Sequence, residues 1–127
     1  MKIDLENRVA LVAEGSNDVG QAICTQLAES GARVVTLIRN KSNNRQAKVY
    51  FKKFGLDIKI YNADITNFMA CEKIIRKIDT EMGGIDIVIN NSEINIRGDI
   101  SEMAHRQWKD CMSENLDSVY NLCRPIS

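Results

Sequence analysis

The chain has 127 residues, 17 Lys plus Arg balanced by 17 Asp plus Glu, and 44% hydrophobic residues. That length suits one domain, 1–127, able to bury about two-thirds of its unfolded surface. Zero net charge gives no drive toward nucleic acid, no run nears the ~20 apolar residues of a membrane span, and the charged start Met1–Glu6 is no secretion signal.

Arg8–Ala13 (RVALVA) is almost continuously apolar and predicts a parallel strand covered on both faces. A turn follows, Ala13-Glu14-Gly15-Ser16-Asn17-Asp18-Val19-Gly20. It opens a helix from about Asn17 to Ser30, stopped by Gly31. Arg33–Ile38 (RVVTLI) predicts a second buried strand. A second helix runs from roughly Asn43 to Phe54, before Gly55. Asp57–Asn62 (DIKIYN) alternates as an edge strand does. A third helix starts near Thr66, taken as its N-cap, and ends at Gly83-Gly84. Ile85–Asn90 (IDIVIN) is the fourth strand. A fourth helix covers about His105 to Arg124, with Pro125 behind it. Alternation of strands and helices through short connections predicts an α/β fold: a doubly wound parallel sheet with helices on both faces, in strand order 3-2-1-4.

Along helix four, Trp108, Cys111, Met112, Leu116, Val119, Leu122, Cys123 and Ile126 spread over about half the circumference, wider than one covered face needs. Asn115 lies near the middle of this stripe and is expected to be buried with a hydrogen-bond partner. Ala104 stands where a capping Ser or Thr is expected. Cys24, Cys71, Cys111 and Cys123 contain no C-x-x-C pair and read as reduced, small apolar residues of a cytoplasmic protein. No metal site follows from their spacing. His105 reads as a surface residue at a helix start.

A strand, a tight turn and a helix form a place for a dinucleotide, because the backbone approaches the pyrophosphate and the helix N-terminus is positive. Residues 30–56 hold no acid. Arg39 falls about twenty residues after the turn, where an acid would read the ribose hydroxyl of NAD; a cation there suits the 2′-phosphate of NADP. The alternative is a solvated surface cation, which is the reading for Lys48, Lys52 and Lys53.

Arg8–Glu29 resembles the opening of the short-chain dehydrogenases/reductases, whose turn reads T-G-x-x-x-G-[IV]-G. Asp64-Ile65 after strand three, Asn90-Asn91-Ser92-Glu93 in place of N-N-A-G, Gln107-Trp108 and Asn115–Cys123 continue the resemblance over the whole chain. Within that family it is greatest to the NADPH-dependent acetoacetyl-CoA reductases, then to the 3-oxoacyl-carrier-protein reductases. The resemblance implies a Rossmann-like fold, cut short, and NADP as cofactor. It implies cofactor contacts at Gly15, Ser16, Asn17, Val19, Gly20, Arg39, Asp64, Ile65 and Asn90. It places Asn115 at the family's proton-relay position; the plain alternative is a helix Asn bonded to backbone or solvent.

The departures share a chemistry. Glu14, Asp18 and Glu93 stand where the family has glycines beside the cofactor. One carboxylate about 5 Å from a phosphate costs roughly 3 kcal/mol at an effective dielectric of ~20, so weak or no NADP binding is expected. Asp18 is also placed to serve the helix N-terminus itself. The family's Ser and Tyr-x-x-x-Lys are absent from residues 1–127, and Tyr50, Tyr61 and Tyr120 have no Lys four residues on. The expectation is a truncated, degenerate reductase, inactive alone. The alternatives are the first half of a split reductase completed in trans, or a non-enzymatic interaction module. Association of copies is expected through helix 105–124 or the free edge of strand 85–90.

Overall fold

The computed structural model describes residues 2–126. Four parallel strands, β1 (Val9–Ala13), β2 (Arg33–Leu37), β3 (Lys59–Tyr61) and β4 (Ile87–Asn90), form one sheet in the order β3-β2-β1-β4. The register pairs Leu11 with Val35 and with Val88, and Thr36 with Ile60. Every residue of β1 is buried, which is why its sequence is a continuous apolar run rather than an alternating one.

Helices cover both faces. Successive strand residues point to opposite sides, so the strands divide into two cores. Leu11, Ala13, Leu37 and Tyr61 pack with Cys71, Ile75 and Ile78 of α3 (Phe68–Met82) and Leu122 of α5 (Ser118–Ile126). Ala10, Val12, Val34 and Ile38 pack with Cys24 of α1 (Asp18–Glu29) and Ala47 and Phe51 of α2 (Lys41–Lys53). Each fully buried Leu or Ile stabilises the fold by roughly 1.5–3 kcal/mol relative to exposure.

Several element ends differ from the sequence reading. The strands are one to three residues shorter. Beside β4, the Asp86 N–H donates to the Val9 carbonyl at 2.9 Å and the Asp86 side chain accepts from the Val9 N–H at 2.8 Å. α2 starts at Lys41, two residues early, since Asn40 Oδ1 caps the Ser42 N–H at 2.9 Å. The cap of α3 is Asn67, not Thr66: Asn67 Oδ1 accepts from the Ala70 N–H at 3.0 Å. Thr66 is instead bound to Asp64.

The fourth helix is the largest correction. It is two α-helices, α4 (His105–Met112) and α5, joined by a π-helical turn at Ser113–Asp117. Pro125 lies in the last turn of α5 rather than beyond it. A π turn holds an extra residue, so the apolar stripe does not continue as one inward face. Glu114, Ser118, Asn121 and Leu122 are buried, whereas Asn115, Leu116 and Val119 are exposed. No residue of α4 is buried. Ala104 supplies no side-chain acceptor, and only the reciprocal half of a capping box remains, the Ala104 N–H donating to Gln107 Oε1 at 2.8 Å.

Candidate functional site

All four strands end at one rim, and the connections leaving them meet there. The β1–α1 turn begins with Glu14, whose φ of 63° puts a non-glycine residue in the left-handed region. The next residues show why the chain accepts this. A Cβ on Gly15 would lie 2.4 Å from Thr36 Oγ1, and one on Gly20 would lie 2.1 Å from the Glu14 carbonyl oxygen. Both glycines are therefore demanded by packing, and the turn cannot relax around them. Thr36, fully buried, is itself fixed by donating to the Val12 carbonyl at 2.7 Å.

The Glu14 side chain folds back over this turn. Its Oε1 accepts from the Ser16 hydroxyl and from the Ser16 N–H, the latter at 3.3 Å. Asn17 is the N-cap of α1, its Oδ1 accepting from the Gly20 N–H at 2.7 Å and from Asn91 Nδ2 at 2.9 Å. Asn91 Nδ2 also donates to the Glu14 carbonyl at 3.0 Å. Asp18 is exposed in the first turn of α1 and Glu93 is exposed beyond β4. Glu14 and Asn17, rather than Asp18, satisfy the donors of the turn.

At the ends of β2 and β3 lies a cavity of about 200 Å³, lined by Glu14, Leu37, Arg39, Asn40, Asn43, Ile65, Ser92 and Glu114. Arg39 Nη2 donates to Asp64 Oδ1 at 3.0 Å and to Glu114 Oε2. Glu114 is 7% exposed, and its other oxygen accepts from the Ser92 hydroxyl at 3.2 Å. Burial alone would lower the Arg39 pKa, but hydrogen bonds and charge from Glu114 and Asp64 outweigh it and raise it. Burial alone would raise the Asp64 pKa; two hydrogen bonds from Thr66 and the Arg39 charge lower it.

The π turn bearing Glu114 is held by a relay of hydrogen bonds. Asn90 Nδ2 donates to Ser118 Oγ at 3.0 Å, and that hydroxyl donates to the Glu114 carbonyl at 2.7 Å. Asn121 Nδ2 donates to the Ile65 carbonyl at 2.9 Å, tying α5 to the cavity wall.

Of the residues singled out in the sequence, Gly15, Ser16, Asn17 and Gly20 build the turn. Arg39 and Ile65 line the cavity, Asp64 pairs with Arg39 beside it, and Asn90 supports it from the end of β4. Val19 does not join them: it is 60% exposed and lies on an apolar groove along α1 with Ile23, Leu27 and Ile89. Asn115 is also elsewhere, exposed and bound to the Ile94 backbone, accepting from its N–H at 3.1 Å and donating to its carbonyl at 2.9 Å. The sequence reading missed Glu114. On a regular helix it falls outside the apolar stripe, and it is turned inward only at the π turn.

A dinucleotide does not fit the turn as it stands. The Glu14 carboxylate already takes the Ser16 N–H and hydroxyl, which are the donors a pyrophosphate would need, and repels the incoming charge. Among the described residues no group of three or more His, Cys, Asp or Glu is arranged to hold a metal. No tyrosine lines the cavity. No described helix is long and apolar enough to cross a membrane.

Residues 8–127 match the family described as short chain dehydrogenase. An acetoacetyl-CoA reductase of Rhizobium meliloti is 32% identical over 94% of this chain and 48% of its own length. A 3-oxoacyl-[acyl-carrier-protein] reductase of Vibrio cholerae is 32% identical over 98% of this chain and 50% of its own. The crystal structure of a 2-keto-3-deoxy-D-gluconate dehydrogenase from Streptococcus agalactiae superposes with a TM-score of 0.86 at 26% identity, covering 98% of this chain and 47% of that one. The crystal structure of gox2181 does so with a TM-score of 0.91 at 28% identity, over 98% and 49%. The chain spans about half the length of the curated relatives it matches.

Proposed function

The chain belongs to the short-chain dehydrogenase family, and from that membership we propose that residues 1–127 are a truncated, degenerate reductase without a working dinucleotide site of their own. By themselves they do not reduce a 3-oxoacyl thioester, the substrate class suggested by the acetoacetyl-CoA and 3-oxoacyl reductase relatives. The carrying observation is the Glu14 carboxylate seated on the Ser16 donors of the β1–α1 turn. An internal anion there competes with any diphosphate for the same hydrogen bonds and the same positive helix terminus.

Chemistry points the same way. Ketone reduction needs a proton donor within reach of the carbonyl oxygen, and residues 1–127 hold no Tyr-x-x-x-Lys. NADP is the cofactor class that family membership and Arg39 suggest, bound weakly at most. Titration calorimetry with NADPH, paired with an absorbance assay on acetoacetyl-CoA, tests the reading. The expected result is no saturable heat below high micromolar NADPH and no substrate-dependent oxidation. Micromolar binding, or turnover by residues 1–127 alone, overturns it.

A second reading has its own support. β4 is half-buried at every position, unlike β1, and the groove of Val19, Ile23, Leu27 and Ile89 runs beside it. A further strand and helix supplied by another chain would cover both. On this reading the chain is the first half of a reductase completed in trans.

A further inference from the structure

We propose that the free edge of β4 binds the β4 edge of a second copy of this chain, antiparallel about a twofold axis through Val88, so that two four-stranded sheets join into one. This interface lies across β1 from the Arg39 cavity and holds whether or not a dinucleotide binds.

The two outer strands differ in a way that decides which edge is open. β3 has three residues, and its exposed Lys59 pairs with Glu81 at 3.0 Å. Short strands and edge lysines block the addition of a further strand. β4 reads Ile87-Val88-Ile89-Asn90, without charge or proline, and every position is half-buried. Its outer backbone groups have no neighbouring strand among the described residues.

The strand also fits itself. Closed pairs of identical chains use a twofold axis, and two copies of one strand can form a ladder about such an axis only when antiparallel. The axis then stands perpendicular to the sheet, so opposed residues lie on the same face. Val88 is in register with Leu11 on the α3 and α5 face, whereas Ile87 and Ile89 pack on the α1 and α2 face. Centring on Val88 sets Val88 against Val88, Ile87 against Ile89 and Asp86 against Asn90. Centring on Ile89 instead sets Val88 against Asn90, and centring on Ile87 sets Val88 against Asp86. Only the Val88 register keeps each apolar side chain of the strand opposite another.

The same axis brings the α1 grooves of both copies to one side of the joined sheet. Val19 is 60% exposed there, beside Ile23, Leu27 and Ile89. The two grooves face each other across the seam, so strand pairing and apolar burial occur together. The seam is short, which places it among the weak interfaces and sets the measurement at high micromolar concentration.

Disulfide trapping tests the register, in a chain carrying Cys111→Ser and Cys123→Ser so that only the buried Cys24 and Cys71 remain. Opposed residues of an antiparallel pair lie about 4.5–5.5 Å apart between Cα atoms, within the roughly 4.4–6.8 Å that a disulfide spans. Diagonal neighbours lie about 7–8 Å apart, beyond it. Under mild oxidant, Val88→Cys is expected to give about tenfold more covalent dimer than Ile87→Cys, and Ile87→Cys combined with Ile89→Cys to recover it. Equal trapping at Val88→Cys and Ile87→Cys, or none at either, overturns the inference. The wild-type chain gives a second readout. Sedimentation is expected to show a dimer at high micromolar concentration, with hydrogen exchange at Ile87–Asn90 slowed by roughly tenfold relative to low micromolar. A dimer whose β4 amides exchange unchanged overturns the inference, as does a monomer throughout, which leaves the edge to a strand from a different chain.

Discussion

Glu14 joins backbone strain and charge in one residue. A left-handed φ costs a residue with a Cβ roughly 1–2 kcal/mol, and the turn offsets this through the Ser16 hydrogen bonds and the Asn91 contact to the Glu14 carbonyl. Glu14→Gly relieves the strain but adds about 0.5–1 kcal/mol of unfolded-state entropy. The expected outcome is a melting temperature nearly unchanged and NADPH affinity raised at least tenfold, read by calorimetry on both proteins. A large loss of stability without a gain in affinity would mean that the carboxylate only supports the fold. Asp64 gives the Arg39 cluster a pH dependence. Its folded-state pKa lies below the ordinary carboxylate value because Thr66 and Arg39 outweigh burial. Its contribution is therefore full above the unfolded value of about 3.9 and is lost as pH falls through the folded one. Urea midpoints taken at neutral pH and near pH 3 are expected to converge in Asp64→Asn relative to wild type. The half-exposed side chain keeps the effect small.

Among the elements, the helix ends are set by single side chains. Asn17, Asn40 and Asn67 each cap a helix. Thr66 and Asn67 both carry side chains that cap well, and the Asp64 turn decides between them by engaging Thr66. Asn67→Ala is expected to cost about 1 kcal/mol, measured by chemical denaturation with an unchanged m-value. A loss well under half of that would show that the α3 start is held by packing alone. The π turn is the element with consequences for the site. It aims Glu114 into the cavity and leaves Asn115 on the surface, bound to the Ile94 backbone, which separates Asn115 from the cavity residues.

At the scale of the whole molecule, exposed apolar surface gathers on two sides. Leu116, Val119 and Tyr120 are 57%, 43% and 61% exposed on the α5 side, and Trp108 is 50% exposed on α4. The α1 groove and the half-buried β4 lie on the other. Unpaired strand edges and apolar patches of this kind favour association. Self-association through either side is a proposal with a direct readout: the melting temperature should rise with protein concentration, and sedimentation should show species above the monomer mass. Ile89→Lys, at the groove and the edge together, is expected to abolish the rise if β4 is the surface used. Leu116→Lys should do so if the helical side is used. A sharp monomer across the whole range would dismiss both.

The order and type of the strands and of the first three helices were legible in the sequence because they follow from local pattern. Continuous apolar runs mark strands covered on both faces, as Val9–Ala13 shows, and Gly31 and Gly83 mark where helices must stop. The turn after β1 was also legible as a tight strand-to-helix connection, and Gly15 and Gly20 leave no room there for a Cβ. What the tertiary structure decided was where the remaining charges meet. Arg39, Asp64 and Glu114 are far apart along the chain and come together only because β2, β3 and the π turn end at one rim. No periodicity encodes the break in the fourth helix, where Ser118 of α5 bonds Asn90 at the end of β4. Local steric preference writes the elements into the sequence, whereas charge pairing over long separations exists only once the sheet has brought the strand ends together.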